Sequence, residues 1–184
     1  LIKRTAKKAL ERGDAEGAWL LMKLLYLRKN GRLSGRELDY LVGAGAMVGL
    51  ERATREIHSI LKILENGTSP LGVHYALAKL NLFGSCWQEC FRWSEKVHRS
   101  DRKFRTTEML NDMAYSLVHI GNEPDRAEEL ARQAYQNVCS TVVGGKEGAA
   151  WVRDTLGLAL MRNGGVVEAL GLLLLSYKAD PCVM

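Results

Sequence analysis

The chain has 184 residues, 47% hydrophobic and 26% charged, which supplies enough apolar material for one ordinary domain with a real interior. Three prolines, 7% aromatics and many Ala, Leu, Glu, Lys and Arg favour helix and argue against an all-β protein. The net charge of +5 admits an acidic partner, but many solvated helical proteins carry as much, so charge alone does not mark a nucleic-acid binder.

In chain order the apolar periodicity predicts helices in pairs, each pair broken by a glycine. The first pair covers 2–12 and 14–29, around Gly13. The second covers 35–48 and 50–65, around Gly49, and Ser34-Gly-Arg-Glu37 reads as a capping box at its start. The third covers 70–83 and 86–99, around Gly84. Ser69-Pro70 puts proline at a first helical position, and Ser85-Cys-Trp-Gln88 reads as a second capping box. The fourth covers 103–120 and 124–138, around Gly121, with Pro124 opening its second helix. The fifth covers 147–163 and 166–179, around Gly164. Short polar joints at Gly31, Gly67 and Ser100, and a longer one at 141–147, separate the pairs.

The turn glycines are spaced 36, 35, 37 and 43 residues apart. A small residue follows each inside the next helix: Ala18, Ala53, Cys90, Ala127 and Ala169, spaced 35, 37, 37 and 42. A tight turn between antiparallel helices favours glycine, and a close helix crossing favours a small side chain. Two markers with one period define a stacked array of helical hairpins at about 1–30, 34–66, 70–99, 103–139 and 147–180. The fold expected is all-α, an α-solenoid of five antiparallel hairpins in a single domain, 1–184.

The last hairpin resembles a tetratricopeptide repeat, whose pattern is W-x2-L-G-x2-Y, then A-x3-F, then P. Leu156, Gly157 and Leu160 fill the first part at matching gaps, Ala169 and Leu173 the second, and Pro181 the third. Arg153 stands where the family has an aromatic, and Trp151 lies two places early. The segment from Leu110 is similar (Met113-Ala114, Leu117, Ala127, Ala134), and the one from His74 is weaker (Leu77-Ala78, Cys90). The first two hairpins keep only glycine, alanine and period, and a pentatricopeptide or Sel1-like repeat is an alternative there. The glycine-rich run Leu41–Gly49 does not settle a register. The resemblance implies a right-handed superhelix whose first helices line a concave groove, and a role as a scaffold for peptides or proteins.

Chemistry is sparse. Cys86, Cys90, Cys139 and Cys182 form no CxxC pair, and Cys86 and Cys90 share a face if both are helical, so half-buried reduced thiols are expected rather than a metal site. His58, His74, His98 and His119 fall in different helices, outside any nucleophile motif. Gly144-Gly145-Lys146 lacks the spacing of a phosphate-binding loop. The sequence thus predicts no enzyme, no cofactor and no metal. Trp19, Trp87 and Trp93 are placed between hairpins, while Trp151 is free to reach the groove. No stretch is apolar enough to span a membrane; Leu170–Leu175 is short and flanked by Glu168 and Lys178. A cytoplasmic setting is expected, and because the chain starts at Leu1, a longer parent protein.

Two functions compete. In the first, a protein or peptide partner lies in the groove against Tyr75, Lys79 and Leu82, Asn111, Tyr115 and Val118, and Asp154, Leu158 and Met161. In the alternative, RNA is bound by the basic surface around residues 92–105: Arg92, Lys96, His98, Arg99, Arg102, Lys103 and Arg105. The groove positions are mixed and largely uncharged, whereas an RNA binder would repeat Lys or Arg along them, so the protein partner is favoured. The last helix has leucine in almost every direction and is expected to self-associate or to be covered by a further segment.

Overall fold

The computed structural model describes residues 2–29, 33–64, 71–100, 106–141 and 149–179, and among them there are ten α-helices and no strand. They form five hairpins: α1 (Ile2–Glu11) with α2 (Ala15–Arg28), α3 (Gly35–Val48) with α4 (Leu50–Leu64), α5 (Leu71–Phe83) with α6 (Trp87–Ser100), α7 (Thr107–Ile120) with α8 (Pro124–Thr141), and α9 (Ala150–Arg162) with α10 (Val166–Ala179). The chain divides into two compact units, Leu1–Ser100 and Asp101–Met184. In the first, α3 packs on both α1 and α5, and the second helices α2 and α4 pack on the first helix that follows each. In the second, α7 packs on α9 and α8 packs on α9. First helices therefore line up beside one another within each unit, which is solenoid packing.

Local sequence explains most helix ends. Glu37 accepts hydrogen bonds from the Ser34 backbone N–H at 2.8 Å and hydroxyl at 2.9 Å, so the expected capping box forms. Burial pushes the Glu37 carboxyl up, but Lys29 at 2.8 Å and the Ser34 donors outweigh it and hold the pKa at about 2. Asp14 caps α2 by accepting from Gly17 N–H at 2.9 Å. Thr106 caps α7, so that helix begins at Thr107; the expected start at 103 lies outside the described residues, as do Pro70, Pro181 and Cys182.

The third turn differs from expectation. Gly13, Gly49, Gly121 and Gly164 all have positive φ, but in the third hairpin the left-handed residue is Ser85, at φ 56°, and not Gly84. Three turns share one hydrogen-bond pattern: Asp14 N–H to Ala9 O, Cys86 N–H to Asn81 O and Gly165 N–H to Leu160 O, each reaching back five residues. That is a Schellman turn, and its left-handed seat falls to Gly13, Ser85 and Gly164. Ser85 therefore cannot open α6. The helix starts at Trp87, the second capping box does not exist, and Cys86 is exposed while Cys90 is buried.

The five small markers Ala18, Ala53, Cys90, Ala127 and Ala169 are fully buried. The first helices carry the buried small residues Ala6, Ala78 and Ala114, and two glycines, Gly157 and Gly45, approach Ala169 and Ala53. A Cβ on Gly157 would lie 2.7 Å from Leu173 Cγ and 3.3 Å from the Ala169 carbonyl oxygen; one on Gly45 would lie 3.0 Å from Ala53 Cβ, Leu80 Cδ2 and Trp19 Cζ3 alike. Close approach of the two helices thus sets the α3–α4 and α9–α10 crossings. Ion pairs join second helices of neighbouring hairpins 36 residues apart: Arg52 with Glu16, and Arg132 with Glu168 at 2.9 Å. Glu168 is thus on the surface and paired.

Candidate functional site

The predicted groove residues occupy the first helices at unequal depth. In the first unit, α5 is buried along most of its length, and Tyr75 and Lys79 are buried with it. The Lys79 ammonium sits 5.7 Å from the centre of the Tyr75 ring, while Leu82 is half-buried. In the second unit, Asn111 and Val118 of α7 are buried and Tyr115 is half-buried, its ring edge-on to His119 at 4.5 Å. On α9, Asp154 and Leu158 are half-buried and Met161 is 44% exposed.

One face of α9 stands out. Trp151, Asp154, Leu158 and Met161 follow one another at steps of three, four and three, which puts them on one side of the helix, and none of them is buried. The opposite side supplies the core through Val152, Thr155, Leu156, Ala159 and Leu160. Burial raises the Asp154 pKa above the usual carboxylate value, and among the described residues no cation lowers it. On α7, which packs against α9, the Asn111 side-chain oxygen is buried without a hydrogen-bond partner among the described residues.

The basic cluster resolves into a different arrangement. Trp93 is buried, stacked on His74 at 5.0 Å and edge-on to His58 at 5.4 Å. The Lys96 ammonium lies 4.4 Å and the Arg92 guanidinium 5.4 Å from its centre, while Arg99 pairs with Glu95 at 2.9 Å. Burial, then the nearby Lys96 charge, lowers the His74 pKa to about 4. The sequence pattern gives no sign of the link between His74 and Trp93, which joins α5 and α6. Arg102, Lys103 and Arg105 lie outside the described residues. Trp19 is also buried, donating from Nε1 to Glu56 at 2.8 Å, so two of the three tryptophans expected between hairpins are core.

Among the described residues no group of three His, Cys, Asp or Glu is placed to hold a metal ion, and no helix is long and apolar enough to cross a membrane.

The class of architecture is thus an array of antiparallel helical hairpins whose first helices pack side by side. More particularly, the fold is that of tetratricopeptide-type repeats. The chain is similar in structure to the nearly identical TPR-like repeats of a kinesin light chain from Podosopora anserina, with a TM-score of 0.66 and 16% identity over 100% of this chain and 95% of that one. It is similar also to MamA, residues 41 to the end, from Desulfovibrio magneticus RS-1, with a TM-score of 0.67 and 15% identity over 99% of this chain and 94% of that one. No protein-family model matches the sequence, and no curated protein matches it. At such identities the likeness is one of fold.

Proposed function

We propose that this chain is a protein-interaction scaffold that binds a peptide or protein partner on the faces of its first helices, and that it is not an enzyme. The observation that carries this reading is the α9 face: an indole, a carboxylate and two apolar side chains in one row, left partly open while the other side of the helix builds the core. Mixed apolar and polar surface of this kind supplies both contact area and hydrogen bonds. The predicted set divides by depth. In the second unit Tyr115, Asp154 and Leu158 offer direct contact and Asn111 is buried; in the first unit Tyr75 and Lys79 are both buried. A cytoplasmic setting accords with Cys86 and Cys139, exposed thiols outside any disulfide among the described residues. Affinity purification with mass spectrometry should recover a protein partner. A Tyr115→Ala/Leu158→Ala variant with an unchanged helical spectrum should then bind it about tenfold more weakly or worse. Unchanged affinity would remove the first-helix face from the interaction.

We propose a second contact face on α10, through which copies of the chain associate. Val167 is 88% exposed, and Leu170, Leu174, Leu175 and Tyr177 are each about half exposed along the same helix. Only Ala169 and Ser176 of α10 are fully buried.

A further inference from the structure

We propose that the first-helix face of the second unit is a seat for one cationic side chain, a lysine or arginine on an extended segment of the partner, with Asp154 as its counter-ion, Trp151 as its aromatic wall and Asn111 as a hydrogen-bond acceptor. This rests on the scaffold reading and gives it a ligand chemistry.

Three separate features of the packed helices α7 and α9 bear on such a ligand. Asp154 is a half-buried carboxylate with no Lys, Arg or His partner among the described residues. A carboxylate taken partly out of water without a cation destabilises the fold that holds it. The Asn111 side-chain oxygen is a buried acceptor with nothing donating to it among the described residues, in a class of atom that is almost always satisfied. It stands 43 residues before Asp154, as Gly121 stands 43 before Gly164, so the two hold equivalent places on the packed helices α7 and α9. Trp151 lies one helical turn before Asp154 on the same side of α9 and is only half-buried. An indole beside a carboxylate attracts a cation from two sides, through its ring face and through the charge.

One ligand group answers all three. An ammonium or guanidinium neutralises Asp154, donates to Asn111 and rests its stem on Trp151 and Leu158. An anionic ligand would add a second uncompensated negative charge. The chain as a whole carries +5, so the preference is local to this face and not a consequence of the general field. The same argument disfavours RNA here, because its phosphates would face Asp154.

The test uses the full chain, labelled with 15N, and three capped peptides that alternate alanine with lysine, glutamine or glutamate. The lysine peptide should shift the Asn111 side-chain amide and the first half of α9, and should lower the Asp154 pKa. Asp154→Asn should weaken that peptide about fivefold or more and at the same time raise the melting temperature, because an uncompensated charge has been removed. Trp151→Leu should weaken it less, and Glu129→Gln, on exposed α8 surface, should change neither quantity. Shifts on this face with full affinity in Asp154→Asn would overturn the cation seat and leave the scaffold reading standing. Shifts confined to other surfaces, or shifts here with a single-stranded RNA and not with the lysine peptide, would overturn both. A lower melting temperature in Asp154→Asn would show that Asp154 serves the fold, and would also end the proposal.

Discussion

At the scale of single residues, two positions hold the clearest local tension, and both lie in the first unit. Ser85 occupies a left-handed seat at φ 56° that Gly13 and Gly164 fill in equivalent turns. A side chain in that conformation costs on the order of 1 kcal/mol relative to glycine. Ser85→Gly should therefore raise stability by about 0.5–1 kcal/mol, read as a higher urea midpoint with unchanged slope. The second position is His74. Its folded pKa is lowered from 6.5 to about 4, so the unfolded chain binds the proton first as the solution is acidified. Stability should be fully present above pH 6.5 and decline as pH falls toward 4. Glu37 and Glu56 follow, both held at about 2, which adds a further loss as pH drops below 4.5. In thermal melts from pH 7 to pH 3, His74→Gln should flatten the first decline and leave the second; an unchanged pH profile would show that the first decline does not come from His74.

At the scale of the helix, glycine has opposite meanings in two neighbouring elements. Gly157 of α9 sits where a Cβ would meet Leu173 Cγ at 2.7 Å and the Ala169 backbone at 3.3 Å, whereas a Cβ on Gly171 of α10 meets nothing within 4 Å. Gly171→Ala should stabilise by about 1 kcal/mol, the helix-propensity gain alone. Gly157→Ala has the same gain, but the overpacking it must overcome is on the order of 1–3 kcal/mol, so it should be neutral to destabilising. Matched urea unfolding of the two variants decides it; equal stabilisation would mean that the α9–α10 crossing is loose. These cases also show what the sequence made legible. Period, turn glycines and small residues place all five hairpins, and α10 has the predicted bounds, because spacing along one chain registers tight turns and close crossings. Gly45 could not be chosen among the glycines of 41–49, because only Ala53, Leu80 and Trp19 pressing on it single it out. Ser85 was missed because Gly84 satisfies the period one place early. The residues expected to line a groove lie on first helices, but the depth of Tyr75, Lys79 and Asn111 depends on what packs over them, and a helical period carries no information about that.

At the scale of the molecule, the repeat has a consequence that no single hairpin shows. A hairpin buries its apolar surface against the next one, so a helix with nothing packed on its far side keeps that surface open. In α10 the side toward α9 holds Ala169, Leu173 and Ser176, and the other side presents Val167, Leu170, Leu174, Leu175 and Tyr177. Glu168 and Lys178 are the only charged residues of this helix, and Glu168 is already paired with Arg132. Nothing polar therefore interrupts the row Val167, Leu170, Leu174, Tyr177, whose steps of three, four and three match the seam of a two-helix contact. Its spacing reads the same in both directions, which suits an antiparallel twofold contact between identical helices. Contiguous exposed apolar surface on a helix ordinarily marks an interface. Light scattering over a concentration series should show the average mass rising above 20.5 kDa, and the melting temperature should rise with concentration in step. Leu174→Glu, which places a charge on the open side without touching α9, should hold the chain at the monomer mass and leave its helical spectrum unchanged. A constant mass of 20.5 kDa at the highest concentration, in wild type and variant alike, would show that the open row is tolerated in water and that copies do not associate through α10.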